Sequence, residues 1–215
     1  MSYFNKIFGI YAQQNEILTY FLGKKHKFFK KDKRSDREIL LGIEKKLNAI
    51  SPDRIYNMVE YLFATSELHK KTFAGYKNKY QGKSIVLVGA GPSLNKFEPI
   101  KDAIYVGLNR AFKFDKVKFD YLFTIDQNGI NQYYDEFRNY NGNNCIKFVG
   151  NQNGKGFRLD ESYILSIENV KRYNTTHGLG LAQKFTMDIE SCPLGNFATV
   201  SLQAMQCILY TNPEK

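Results

Sequence analysis

Apolar positions follow two different patterns along the chain. Up to about residue 80 they recur at three- and four-residue spacing. Phe4, Ile7, Phe8 and Tyr11, then Leu18, Phe21 and Leu22, fit helical faces. Ser35-Asp36-Arg37-Glu38 reads as a capping box ahead of the stripe Ile39, Leu40, Ile43 and Leu47. Ser51-Pro52 opens a further helix, with Ser as N-cap and Pro in the first turn, where its missing N–H costs nothing. Met58, Val59, Leu62 and Phe63 give that helix an apolar stripe.

After Gly82 the apolar runs become short and continuous. Ser84–Val88, Ala103–Leu108, Tyr121–Ile125 and Ile146–Val149 are strand-length, and they end at Gly89, Asn109, Asp126 and Gly150. Short apolar runs separated by helix-length segments predict parallel strands with crossover helices. The predicted fold is α/β: a Rossmann-like, mostly parallel sheet over residues 81–215 with helices on both faces, preceded by a helical region over 1–80. Gly195–Ser201 leads into a helix predicted to run to Tyr210, after which a βα pattern calls for one more strand. The sheet is therefore expected to lack its C-terminal part.

Composition narrows the class. Hydrophobic residues make up 43% of 215 and charged residues 24%, which excludes global disorder. No apolar stretch approaches the ~18 residues of a membrane span, and Met1–Ile10 lacks the apolar run of a signal peptide. Three widely spaced cysteines, Cys145, Cys192 and Cys207, fit neither a disulfide framework nor a zinc pattern. A cytoplasmic setting is the simplest expectation.

The net charge of +10 is unevenly placed: residues 1–80 carry 16 Lys/Arg against 8 Asp/Glu, and 81–215 carry 15 against 13. Within 24–34, basic residues interleave with Phe28 and Phe29, which suits an anionic membrane surface and peripheral attachment at the inner membrane. A solvated loop between helices is the plainer alternative. No nucleic-acid motif accompanies the charge, so nucleic acid is not the expected partner.

The strongest chemical signal is Gly89-Ala90-Gly91-Pro92-Ser93-Leu94 directly after a strand. Glycines there let the backbone approach a phosphate, and a following helix N-terminus would offer free N–H groups. The loop is neither a Walker A sequence nor a full dinucleotide fingerprint, because residue 94 is Leu. A tight strand-to-helix turn would use the same residues. Asn109 and Arg110 end the second strand, and Asp126, Gln127 and Asn128 end the third. Ligands of open α/β sheets bind at such strand ends. His177, in Asn174-Thr175-Thr176-His177-Gly178, has the pKa range of a general base and is the candidate base, with a surface-loop histidine as the plainer reading. His26 and His69 read as solvated. No Asp-x-Asp motif or histidine cluster is present, so neither a metal nor a resident cofactor is expected.

A strand ending in Gly89-x-Gly91-Pro92-Ser93-Leu94, then one ending in Asn109, resembles the bacterial sialyltransferase family of lipooligosaccharide synthesis. Val106-Gly107-Leu108-Asn109-Arg110-Ala111-Phe112 and Phe119-Asp120-Tyr121-Leu122-Phe123-Thr124-Ile125-Asp126 also resemble a wider family. It includes flagellin-modifying motility accessory proteins and archaeal hydroxymethylpterin pyrophosphokinase. The resemblance covers roughly 82–149 and 195–215. It implies a glycosyltransferase-like protein that takes a CMP-sialic acid-like nucleotide sugar as donor and a glycan or lipid-linked acceptor. It also implies donor contacts from Gly89, Ala90, Gly91, Pro92, Ser93, Asn109 and Arg110, and from the late hydroxyls Thr199 and Ser201, beside the strand-end candidates Asp126 and Gln127. Ala90 stands where sialyltransferases usually have Asn, and their catalytic His would lie beyond Lys215. The alternatives are an ATP- and magnesium-dependent pyrophosphokinase-like enzyme and a non-catalytic binding or assembly protein.

Overall fold

A computed structural model describes residues 8–13, 16–21 and 24–27, positions 38 and 41, and residues 52–151, 159–176, 185–186, 188–195 and 199–214. The chain forms two compact units, Met1–Ile55 and Tyr56–Lys215.

In the first unit, strands β1 (Phe8–Gln13), β2 (Glu16–Phe21) and β3 (Lys24–Lys27) form an antiparallel sheet in the order β1-β2-β3. Phe8 pairs with Phe21, Gln13 with Glu16, and Leu18 with Lys27. This corrects the helical expectation for these residues. The same positions lie within strand-length apolar runs, and Ile17-Leu18-Thr19-Tyr20-Phe21 is rich in β-branched and aromatic residues that favour strands. Two residues separate each pair of strands, the usual length of a hairpin connection. Lys24–Lys27, expected in a loop, belongs to β3. Residues 28–34, the rest of the basic stretch, lie outside the described residues. Glu38 and Leu41, within the stretch predicted as the second helix, are helical.

The second unit contains strands β4 (Ile85–Val88), β5 (Ile104–Leu108), β6 (Tyr121–Thr124), β7 (Ile146–Asn151) and β8 (Val170–Asn174). All are parallel and their spatial order is β4-β5-β6-β7-β8. The predicted α/β fold is the fold observed. Strand order advances in one direction, so right-handed crossovers carry all four connections over one face. That face packs Phe112, Ile130, Phe137 and Ile164 from the connecting segments against Leu122 and Val149. The segments include short helices α2 (Gln127–Ile130), α3 (Tyr134–Asn139) and α4 (Glu161–Leu165).

The other face is left for elements outside the run. Helix α1 (Pro52–Phe73) precedes the sheet and α5 (Val200–Tyr210) follows it. Phe73, Tyr76, Val200, Ala204 and Cys207 pack there against Val106, Phe123 and Phe148. Gly150 of β7 permits this packing, because a Cβ there would lie 2.7 Å from both Ile125 and Tyr173.

Helix α1, assigned by its sequence to the basic extension, docks on β8. Tyr61 Oη donates to the Thr175 carbonyl at 2.9 Å, Asn174 Nδ2 to Thr65 Oγ1 at 2.9 Å, and Thr72 Oγ1 to the Arg172 carbonyl at 2.7 Å. The boundary therefore falls near residue 55 rather than 80. The docking stripe is the partly polar row Tyr61, Thr65, His69, Thr72 and Phe73, while Val59 and Phe63 of the apolar stripe are 56% and 71% exposed.

His69, expected to be solvated, is buried. Its Nδ1 lies 2.7 Å from the Ile189 carbonyl, and its Nε2 accepts from the Asn174 amide at 2.8 Å. One nitrogen donates and the other accepts, so the ring is neutral. Burial depresses its pKa from 6.5 to about 4, against the raising effect of hydrogen bonds to the backbone at Ile189 and Cys192. The three cysteines are unpaired, and no described helix is long and apolar enough to cross a membrane.

Candidate functional site

The carboxyl ends of the strands carry nearly every residue the sequence singled out. After β4, residues 89–93 are exposed. The turn leads into a 3-10 helix, Pro92–Lys96, of five residues. The expected α-helix N-terminus is therefore absent here, and with it the contribution of a helix dipole. What remains is an exposed backbone with no side chain at Gly91 and one methyl at Ala90.

β5 ends in a second 3-10 turn, Asn109–Lys113. In that geometry residues three apart eclipse. Arg110 and Lys113 therefore lie on the same side of the turn, and both line a cavity of about 400 Å³ together with Ala90, Gly91, Phe114 and Tyr133. Lys113 Nζ sits 5.0 Å from the Tyr133 ring centroid and pairs with Glu136. Sequence reading missed Lys113, although the signal was Arg110-Ala-Phe-Lys113 at a strand end.

Asn109 and Asp126 meet behind this cavity in structural roles. Asn109 adopts a positive φ of 50°, and its Oδ1 accepts from Thr124 Oγ1 at 3.1 Å. Asp126 caps α2 by accepting from the Gly129 amide at 2.7 Å. A Cβ at residue 129 would lie 2.5 Å from Asn109 Oδ1, so the glycine is what lets the two strand ends approach. Thr199 caps α5, and its hydroxyl lies 2.7 Å from that of Ser201. Helix α5 returns to the amino edge, where the Asn78 amide donates to the Tyr210 carbonyl and the Glu214 amide to the Lys83 carbonyl. Its capped end consequently faces the carboxyl edge. His177 lies outside the described residues.

Gln127 departs from this group. It lines a second cavity of about 490 Å³ beyond β6, with Asn151, Asp160, Glu161, Tyr163 and Arg172. Arg172 grips Glu161 in a fork, Nη1 to Oε1 at 2.6 Å and Nη2 to Oε2 at 3.2 Å. Asp160 caps α4, and its hydrogen bonds from Ser162 and Tyr163 hold its pKa below the usual carboxylate value. The five strands show no reversal of order, so neither cavity is a switch-point crevice. Each forms between neighbouring connections. Among the described residues, no group of three His, Cys, Asp or Glu side chains could hold a metal ion.

No family model matches the chain, and no curated protein or solved structure matches it either.

Proposed function

We propose that the α/β unit binds a nucleotide-activated sugar and belongs to a glycosyltransferase-like enzyme of bacterial surface glycan or glycoprotein synthesis. One observation carries the reading: the glycine turn after β4 and the cations Arg110 and Lys113 after β5 line the same cavity at the carboxyl edge. An open backbone beside two cations is the chemistry a diphosphate or sugar-bound monophosphate needs.

In the proposed reaction an acceptor hydroxyl oxygen attacks the anomeric carbon. The bond from that carbon to the phosphate oxygen breaks, and its electron pair leaves with the nucleotide. The hydroxyl proton passes to a base, for which His177 is the proposed residue. Arg110, Lys113 and the amides of 89–93 would offset the charge growing on the leaving phosphate. For the ATP-dependent alternative, Asp120 and Asp126 are the carboxylates that could serve phosphoryl transfer. Asp120 precedes β6 and accepts from the Tyr105 amide at 2.9 Å, which puts it at the amino edge, across the sheet from Asp126.

The test is titration of the labelled full chain with CMP, UDP, CMP-sugar and ATP-magnesium. The expected result is amide shifts at Gly89–Ser93 and Arg110 with CMP or UDP ligands. No shift with any of them at about 5 mM, weaker than any useful donor affinity, overturns the reading. An ATP response that depends on magnesium would favour the pyrophosphokinase-like alternative. Binding without turnover by any candidate acceptor would favour a binding protein.

A further inference from the structure

The second cavity has a different chemistry from the first. Its polar lining consists of the amides of Gln127 and Asn151, the carboxylates of Asp160 and Glu161, and the guanidinium of Arg172. With Arg172 committed to Glu161, the wall carries one negative charge in excess. That composition repels a phosphate and suits hydroxyl groups, which a carboxylate accepts from in pairs and an amide can meet as donor or acceptor.

The apolar part fits the same ligand. Tyr134 and Tyr163 stand with ring centroids 4.9 Å apart at 54°, and Tyr163 Oη donates to the Tyr134 carbonyl at 2.8 Å, which fixes the second ring. Val149, Leu159 and Ile164 close the floor. The walls stand on β7, α4 and β8, so the groups are pre-positioned. A volume of about 490 Å³ lies within the range of small-ligand sites, ~300–1,000 Å³.

We infer that this cavity is a saccharide site: it takes an uncharged, hydroxyl-rich ring against the Tyr134–Tyr163 pair, held by Gln127, Asn151, Asp160 and Glu161. The site is on the same sheet edge as the first cavity, one strand further along. As the place of an acceptor sugar it rests on the donor reading; as a saccharide site it does not.

The experiment is an amide-shift titration of the full chain with a neutral disaccharide, lactose, run beside the CMP and UDP titrations. Lactose is expected to shift Gly150, Asn151, Glu161 and Tyr163 and to leave Gly91 and Arg110 unmoved. Gln127→Ala and Glu161→Gln should each weaken lactose binding about fivefold or more while CMP shifts stay unchanged. Gln127 is exposed, so its variant keeps the assay interpretable if the loss of the Arg172 pair disturbs Glu161→Gln.

No lactose shifts at about 50 mM, well past the weakest sugar affinities, overturn the inference. So do shifts confined to Gly91 and Arg110, or a nucleotide that displaces lactose from the second cavity. Lactose shifts without any nucleotide response would leave this site standing and remove the donor reading. Nucleotide shifts without lactose shifts would do the reverse.

Discussion

The two edges of the parallel sheet are built from similar residues and put them to different uses. At the amino edge, polar side chains turn back on the chain. Asp120 accepts from the Tyr105 amide, Tyr140 Oη from the Phe119 amide, and Lys147 Nζ donates to the Glu168 carbonyl. Tyr80 and Tyr121 share a hydroxyl hydrogen bond, with Lys79 Nζ 3.2 Å from the Tyr121 oxygen. At the carboxyl edge the same economy holds for Asn109, Asp126 and the end of β8. It loosens at the exposed turn after β4, at the exposed Arg110 and at the exposed Gln127, while Lys113 still pairs with Glu136 and Arg172 with Glu161. Buried polar groups must find partners inside the chain; exposed groups beside a cavity need not. The difference separates residues committed to the fold from exposed candidates such as Arg110 and Gln127.

The separation breaks first at His69, where the largest effect is expected. His69→Ala strips partners from the Asn174 amide and the Ile189 carbonyl and leaves a cavity, a loss of about 3–4 kcal/mol. Urea unfolding would measure it, and a loss below about 1 kcal/mol would mean that α1 does not depend on this bridge. The same residue makes stability depend on pH. Its pKa is about 4 folded against 6.5 unfolded, so between those values the unfolded chain binds the extra proton. Stability therefore falls as pH drops from 6.5 to about 4 and this contribution levels off below that. The share is about 3 kcal/mol. His69→Gln, which keeps a donor and an acceptor, should lose that part of the slope.

Asp120→Ala comes next, at about 2 kcal/mol, for orphaning the Tyr105 amide at the start of β5. Its nucleotide shifts should match those of the unmodified chain. A variant that folds normally but loses an ATP-magnesium response would put Asp120 in a binding role and erase the contrast between the edges.

What the sequence made legible follows the same physics. Strands β4 to β6 are apolar runs and β7 carries a single Lys among Ile, Phe and Val, so they stand out even where, as in β4, an edge position leaves residues half-buried. β8, Val-Lys-Arg-Tyr-Asn, was missed because two of its five residues are charged, and Arg172 turns to Glu161. The docking face of α1 was misread because it is held by hydrogen bonds from Tyr61, Thr65, His69 and Thr72, which no hydropathy pattern marks. β1 and β2 were misread because their apolar positions also fit helical spacing, and β3, Lys-Lys-His-Lys, offers no apolar position to read. With the boundary moved to residue 55, the first unit holds 12 Lys/Arg against 6 Asp/Glu and the second 19 against 15. The basic character is shared more evenly than the pattern implied. The glycine turn and Arg110 were legible as candidates for the proposed phosphate contact because both stand directly at strand ends. The second cavity was not, since Gln127, Asn151, Asp160 and Arg172 come from four segments that only the fold unites.

Two smaller effects sharpen the contrast on the open edge. Arg110→Ala should weaken nucleotide binding about tenfold, near 1.4 kcal/mol, with stability unchanged within about 0.5 kcal/mol because Arg110 is exposed. A stability loss with unchanged affinity would show Arg110 to be a fold residue like those at the amino edge.

Glu161→Gln gives a small change in stability and the most specific one. The Arg172–Glu161 fork has good geometry, but its side chains are 34% and 60% exposed. Pairs so open to solvent contribute no more than about 1 kcal/mol, and salt reduces that further. Urea midpoints at low and high salt should therefore converge for the variant and the unmodified chain. If the variant instead destabilises the chain by several times that amount at every salt concentration, the fork is part of the fold. The second cavity would then be a packing gap next to a structural ion pair, and the carboxyl edge would have one open site instead of two.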